Sequence, residues 1–583
     1  MNKELFLKNT QALFEVDQIL AYELRKLTNT QRFQLIENKI FDTYNQVFLG
    51  ENHSFDFEKF ELYPVLFFYG FGDGKFFIKL LKNQHLKHIV IFEEELEILY
   101  LAFHLNDFSA FLRKEKLILF FTPNINTAQL KVLFNYQHIK YSAKIFNFHF
   151  YDEFYANFYM EKANILVQNL VNIIKTMVLS RGNDPKDALI GIKHNVISLE
   201  KIITHTPFQT FLKEKKQKYK NAIIVSTGPS LIKQLPLLKQ YQENVVIFSA
   251  DSSYPILAKE GIKPDYVFSL EREEMTSEFF NNDFGKFDEN ILFIISSLTH
   301  PKTIEYLEKN DRKYMLVLRP LFFESKLGLK EYGFLGNGMS VANMAYELAG
   351  ALRFENIIII GQDLAYSDDG KSHPKEHIYG DQGDEEVIYK QITAYGGKGV
   401  VNTQLTWYLF LKSFEKDIAL AKNILKITTY NATEGGARIE GTIEKPFKEL
   451  CEEMLKEKID KNITLTKPKN PQKKIKQCKE KLIKQTKQSE IFINEIKKAI
   501  KEKNLTKLER LRIKIPKSDF FSDILQARHF QNECDVLKYK VEKEKDENVF
   551  LQSQIEFFQE IILYLKKYNE TISENLNKNK DNI

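Results

Sequence analysis

The stretch NAIIVSTGPSLIKQLP, Asn221 to Pro236, runs five strand-like residues into Thr-Gly-Pro-Ser and then resumes as a helical segment. At the carboxyl end of a parallel strand, a loop of small residues lets main-chain N–H groups meet a phosphate. The helix that follows adds the positive end of its dipole. The same residues also read as a tight strand-to-helix turn with Ser230 as the N-cap. What stands at the ends of the neighbouring strands separates these readings.

Working outward, apolar runs recur with helical segments between most of them. The strand candidates are Ala222–Ser226, Val245–Ala250, Tyr266–Leu270, Ile291–Ser296, Met315–Leu318, Ile357–Ile360 and Ile427–Tyr430. This alternation predicts an α/β fold with a central doubly wound, mostly parallel, Rossmann-like sheet. Several runs are continuously apolar, as strands covered on both faces are. At their carboxyl ends stand Thr227 to Ser230, then Asp251 and Ser252, then Glu271, then Gly361-Gln362-Asp363, and finally Glu434-Gly435-Gly436. Small, hydroxyl and carboxylate residues repeated at these ends point to a ligand crevice.

The segment GNGMSVANMAYELAGALRF adds a helix whose Val341, Met344, Ala345, Leu348, Ala349 and Leu352 form one apolar face. Its opening turn, including Asn337 and Ser340, suits an anion, with Ser340 also reading as the cap. His373 and His377 follow the Gln362-Asp363 strand end, and either is placed to act as a general base. Their spacing could suit a metal, but Pro374 interrupts a helix and no third ligand stands out.

The flanks differ from this core. Residues 1–155 read as a smaller Rossmann-like α/β domain, in which Gly70, Gly72 and Gly74 follow one strand and Glu93 to Glu95 close the next. That is the outline of a nucleotide-binding or methyltransferase unit, although Asp73 puts negative charge where a phosphate would sit. Residues 156–217 read as a helical connector, 218–450 as the catalytic domain, and 451–583 as a basic helical bundle ending in a disordered SENLNKNKDNI. From Cys451 onward there are about 30 Lys and Arg against about 22 Asp and Glu, leaving the first 450 residues mildly acidic. This basic excess lacks interleaved aromatics, so no nucleic-acid partner is expected. Cys451, Cys478 and Cys534 form no close pair, which excludes a disulfide framework. With no signal peptide and no membrane span, the expected location is the cytoplasm.

IIVSTGPSL (223–231), DSSYPILAKEGIKPDYVFSLE (251–271), GMSVANMAYELAGALRFENIIIIGQDLAY (338–366), GKSH (370–373) and NATEGGARIEG (431–441) resemble the central domain of the bacterial motility-associated factors. These are flagellin glycosyltransferases, and the likeness spans Lys218 to Thr442 with similar flanking domains. That central domain is in turn similar to the Rossmann-like sialyltransferases that use a CMP-activated sugar. The resemblance implies O-glycosylation of flagellin Ser/Thr with pseudaminic or legionaminic acid from a CMP conjugate, without a required cofactor, in support of flagellum assembly and motility. It implies that Thr227, Gly228, Pro229 and Ser230 line the nucleotide pocket and that Ser340 faces the phosphate. Asp251 and Glu271 fall where the sialyltransferases carry asparagine. His373 fits the pattern as base better than His377, and Glu434, Gly435 and Gly436 belong to the last motif. Two alternatives stand beside this one: a flagellin-binding or export-assisting protein without activity, and a pterin pyrophosphokinase-like enzyme.

Overall fold

The computed structural model describes residues 1–50, 54–179, 181–182, 184–380, 387–518 and 524–578. The chain divides into two compact units. One comprises Met1–Asn183, Lys498–Pro516 and Leu525–Ile561; the other comprises Asp184–Lys497, Lys517–Ile524 and Ile562–Ile583. The helical stretch 156–217 is thereby shared: Glu153–Leu179 lies in the first unit, Pro185–Thr204 and Phe208–Lys215 in the second.

In the first unit a small antiparallel sheet, β1 (Phe33–Ile36), β2 (Lys39–Asp42) and β3 (Val47–Phe48), precedes a parallel one. The parallel sheet has the order β6-β5-β4-β7, with β4 at Val65–Tyr69, β5 at His88–Glu93, β6 at Leu117–Phe121 and β7 at His149–Phe150. The glycine loop after β4 is filled from within. Tyr155 ring atoms lie 2.5 Å or less from where a Cβ on Gly70 would stand, and Tyr151 crowds Gly72 in the same way. Glu93 is fully buried and accepts hydrogen bonds from the Phe71 N–H at 2.7 Å and the Tyr155 hydroxyl at 2.6 Å. Burial pushes that carboxyl up to about 8. The Rossmann outline is thus a packed scaffold at this loop, with no room for a pyrophosphate.

The second unit carries the eight-stranded sheet β12-β11-β10-β9-β8-β13-β16-β17, every pairing parallel. Its strands are β8 (Asn221–Val225), β9 (Val246–Ala250), β10 (Tyr266–Ser269), β11 (Leu292–Ser296), β12 (Tyr314–Val317), β13 (Asn356–Ile360), β16 (Thr428–Asn431) and β17 (Ile443–Glu444). Alternate residues of β8 serve opposite cores. Ala222 and Ile224 pack with Met344, Leu348 and other residues of the helix Val341–Ala351, while Ile223 and Val225 pack with Leu231, Leu235 and Ile256. Both faces being covered is why the run is apolar throughout. From β8 the chain steps outward through β9 to β12 on one side, then returns to β13 on the other. The loops after β8 and β13 therefore diverge at the switch point, where open α/β sheets hold ligands.

Two features depart from expectation. β14 (Lys390–Thr393) and β15 (Val400–Thr403) form an antiparallel hairpin outside the large sheet. At the carboxyl end, Glu547–Lys578 is one helix, so Ser573 to Lys578 are ordered where disorder was expected; Ile572, Asn575 and Leu576 are buried and continue its inward face. Residues 579–583 lie outside the described residues. Among the described residues no strand follows β17, and no helix is long and apolar enough to cross a membrane.

Candidate functional site

A cavity of about 290 Å³ opens at the switch point, at the low end of the range for small-molecule sites. Thr227 and Gly228 after β8, Asp251 and Ser252 after β9, Glu271 after β10, and Gly361, Gln362 and Asp363 after β13 line it together. Ser340, Val341 and Ala342 supply a helix opening, and His373 and His377 close one side. The Thr227 and Ser252 hydroxyls are 2.8 Å apart, and Ser226 donates to Gln362 at 2.5 Å. Asp251 accepts from the Ser252 N–H at 2.8 Å and the Ser269 hydroxyl at 3.0 Å. Among the described residues, no lysine or arginine lines the cavity.

The donors that the glycine loop seemed to offer an anion are already engaged. Gly228 N–H donates to the Gly361 carbonyl at 2.7 Å, and Ser230 donates through its N–H and its hydroxyl (2.7 Å) to the Asp363 carboxylate. Ser230 is therefore not a helix cap: the loop opens into the 3₁₀ turn Pro229–Gln234. Burial raises Asp363 to about 6 against the pull of those hydrogen bonds. Ahead of the helix Val341–Ala351, the Gly336, Asn337 and Gly338 N–H groups all donate to the Glu347 carboxylate. Asn337 lies on neither cavity described here. Ser340 does cap that helix, accepting from Asn343 N–H at 3.2 Å. That leaves the Val341–Ala342 turn as the helix opening that faces the cavity.

The two histidines are unlike each other. His373 Nδ1 lies 2.8 Å from the Thr227 carbonyl oxygen, which can only accept, so Nδ1 carries the proton and Nε2 keeps a lone pair. His377 stacks on His373 with ring centroids 4.3 Å apart and packs against Phe279 on another side. Its Nδ1 accepts the Tyr379 N–H at 3.2 Å. Burial, and secondarily the neighbouring imidazole, push His377 down to about 4, so it is neutral at pH 7 with its proton on Nε2. Among the described residues, no group of three or more His, Cys, Asp or Glu is arranged to hold a metal.

A second cavity of about 540 Å³ lies across the same loops and takes Pro229, Ser230, Glu434, Gly435 and Gly436 into its wall. Asp363 and His373 line both spaces. Glu434 also accepts the Phe447 N–H at 2.9 Å. Sequence reasoning passed over Phe279, Trp407 and Phe410, which line the first cavity. Trp407 is the sole tryptophan of the chain, a signal that was there to use.

Fold and site together define a class: an α/β protein whose larger sheet holds a polar crevice at its switch point. Residues 5–175 match the family described as the glycosyltransferase Maf N-terminal domain, and residues 193–369 match 6-hydroxymethylpterin diphosphokinase MptE-like proteins. The solved structure of the Maf glycosyltransferase from Magnetospirillum magneticum AMB-1 shares the fold. It aligns over 99% of this chain and 97% of that one, with a TM-score of 0.59 and 13% identity. No curated protein matches the sequence. Residues 5–175 are thus similar to the N-terminal domain of the Maf glycosyltransferases, and the whole chain shares the fold of one of them.

Proposed function

We propose that this protein transfers a nonulosonic acid, pseudaminic or legionaminic, from its CMP conjugate to serine or threonine hydroxyls of flagellin in the cytoplasm. The observation that carries this reading is His373, held by a main-chain carbonyl with Nε2 free to take a proton, on the wall of a switch-point cavity that also receives a helix opening. The acceptor oxygen attacks the anomeric carbon as the bond to the CMP phosphate breaks, through an oxocarbenium-like state. The departing phosphate gathers charge, which the Val341–Ala342 turn and the Thr227 and Ser252 hydroxyls stabilise. The acceptor proton passes to His373 Nε2. Written this way, the reaction needs no metal for charge balance.

Asp251 and Glu271 bring carboxylates where a neutral amide would otherwise read the nucleotide. Burial, and then the charge of Glu271, raise Asp251 to about 7, so it gains its charge as pH rises through neutrality. Below that point a phosphate-bearing ligand meets an uncharged group; above it, a like charge. CMP affinity is expected to fall roughly tenfold between about pH 6 and pH 8, one pKa unit of differential interaction, and Asp251→Asn to flatten the dependence. Titration calorimetry on both proteins isolates this contribution from the titration of CMP itself.

The match to a pterin diphosphokinase family supports a second reading, pyrophosphoryl transfer from ATP. A triphosphate calls for cations, and the absence of lysine and arginine from the cavity lining favours a single phosphate instead. The experiment is direct. Purified protein, flagellin and a CMP-activated nonulosonic acid should add the sugar mass to flagellin. Failure to bind CMP while still binding flagellin would favour a non-enzymatic role. Pyrophosphorylation of a hydroxymethyl pterin with ATP and magnesium would favour the kinase.

A further inference from the structure

The two cavities adjoin at Asp363 and His373, which line both. Thr227 and Gly228 face the first space while Pro229 and Ser230 face the second; Ser372 lines the first while Lys371 and Pro374 line the second. Among the described residues, only Asp363 and His373 belong to both linings. We propose that the second cavity is the acceptor subsite, taking a hydroxyl-bearing loop of polypeptide and delivering its oxygen to His373 from the side opposite the nucleotide. This rests on the sugar-transfer reading above and says where the second substrate enters.

Three observations carry the assignment. First, a base that takes the acceptor's proton must border the acceptor's space, and of the two histidines only His373 lines this cavity. Second, the lining mixes charges of both signs with acids in excess: Lys233, Lys371 and Lys375 against Asp363, Asp368, Asp369, Glu376 and Glu434. That suits a polar chain without a strong net charge better than a compact anion such as the donor. Third, the contact surface continues outward. Tyr366, in the lining, donates its N–H to Asn402 of the β14–β15 hairpin and accepts the Val387 N–H on its hydroxyl at 3.3 Å. Beside it Val387 is 64% exposed and Val400 60%, with Ile388 and Tyr389 exposed as well. An exposed apolar shoulder next to a polar cavity fits a macromolecular acceptor more than a free sugar or amino acid.

The chemistry balances where the two spaces meet, beside Asp363 and His373. The acceptor O–H proton goes to His373 Nε2, the oxygen lone pair forms the new bond to the anomeric carbon, and the electron pair of the broken carbon–oxygen bond leaves with the CMP phosphate.

The test compares wild type with Glu376→Trp, at an exposed loop position, and Val401→Trp, in the wall. Steady-state transfer gives the flagellin KM and titration gives the CMP Kd. The expected result is a flagellin KM raised about tenfold or more in both variants, with CMP Kd within about twofold of wild type. Retained CMP binding also certifies that the second unit is folded. Weakened binding of the CMP-sugar in both variants would make this cavity the sugar site and overturn the assignment. Unchanged flagellin KM and CMP Kd in both would overturn it too. Wild-type protein that transfers nothing would instead strike the sugar-transfer reading, and the acceptor assignment would fall with it.

Discussion

Alanine in place of His373 is expected to slow sugar transfer by about 10²–10⁴-fold, the usual worth of a positioned general base. CMP affinity should change far less, because the nucleotide-facing hydroxyls and the helix opening remain. The expectation follows from tautomer control. The Thr227 carbonyl holds the Nδ1 proton of His373, which leaves the Nε2 lone pair to take the acceptor's proton. His377 is built the other way round, with Nδ1 accepting the Tyr379 N–H and the ring buried against Phe279. It orients its stacked neighbour and does not take the proton, so His377→Ala should cost about tenfold or less, a loss of positioning. Rates at saturating donor and flagellin measure both effects. Equal losses in the two variants would reject this division of labour, and full transfer by the double variant would remove histidine as the base altogether.

The second large effect belongs to the glycines that pack around Asp363. A Cβ on Gly228 would overlap the Asp363 carboxylate, 2.6 Å from its Cγ, and stand 2.7 Å from the Gly361 carbonyl oxygen. Gly436 is tighter in consequence: its φ is +68°, and a Cβ there would meet the Asp363 main chain, 2.7 Å from the carbonyl carbon. A side chain can rotate away, whereas the Asp363 main chain is held in place, its carbonyl accepting the Ala437 N–H at 2.7 Å. Gly436→Ala is therefore expected to lose about 2–4 kcal/mol of unfolding free energy from the second unit, with transfer abolished. Gly228→Ala should lose CMP binding first, since Asp363 would have to release Ser230. Gly435→Ala is the control. Its nearest neighbours lie 3.5 Å away, ordinary contact distance, and it should fold as wild type. Denaturant midpoints for the three variants decide the matter.

Much of the larger sheet was legible in the sequence because it is greasy on both faces. Each of the seven strand candidates lies within a residue of a strand found in the structure. The β14–β15 hairpin escaped because KQIT and VVNT show no apolar run, and most of their residues are exposed or half-buried. β1 to β3 escaped for the same reason. Ser340 was readable as a cap because capping is local, settled by residues three apart. Ser230 was not, because what claims it is Asp363, 133 positions further along the chain. Glu347 reaches back around its own helix to hold three amides that the local pattern left free for a ligand. The strand ends could be picked out one by one, but which of them share a cavity depends on strand order, and that is a property of the assembled sheet.

The tether on His373 has one further implication. Its partner is a peptide oxygen, so no exchange of the residue at 227 can delete the contact, and a mutational scan there would report on the threonine hydroxyl alone. Replacing the 227–228 amide by an ester would weaken the oxygen as an acceptor and delete the Gly228 N–H that donates to Gly361, while leaving every side chain in place. The imidazole's orientation is thus inherited from the path of a strand, and ordinary codon changes at its partner leave it intact.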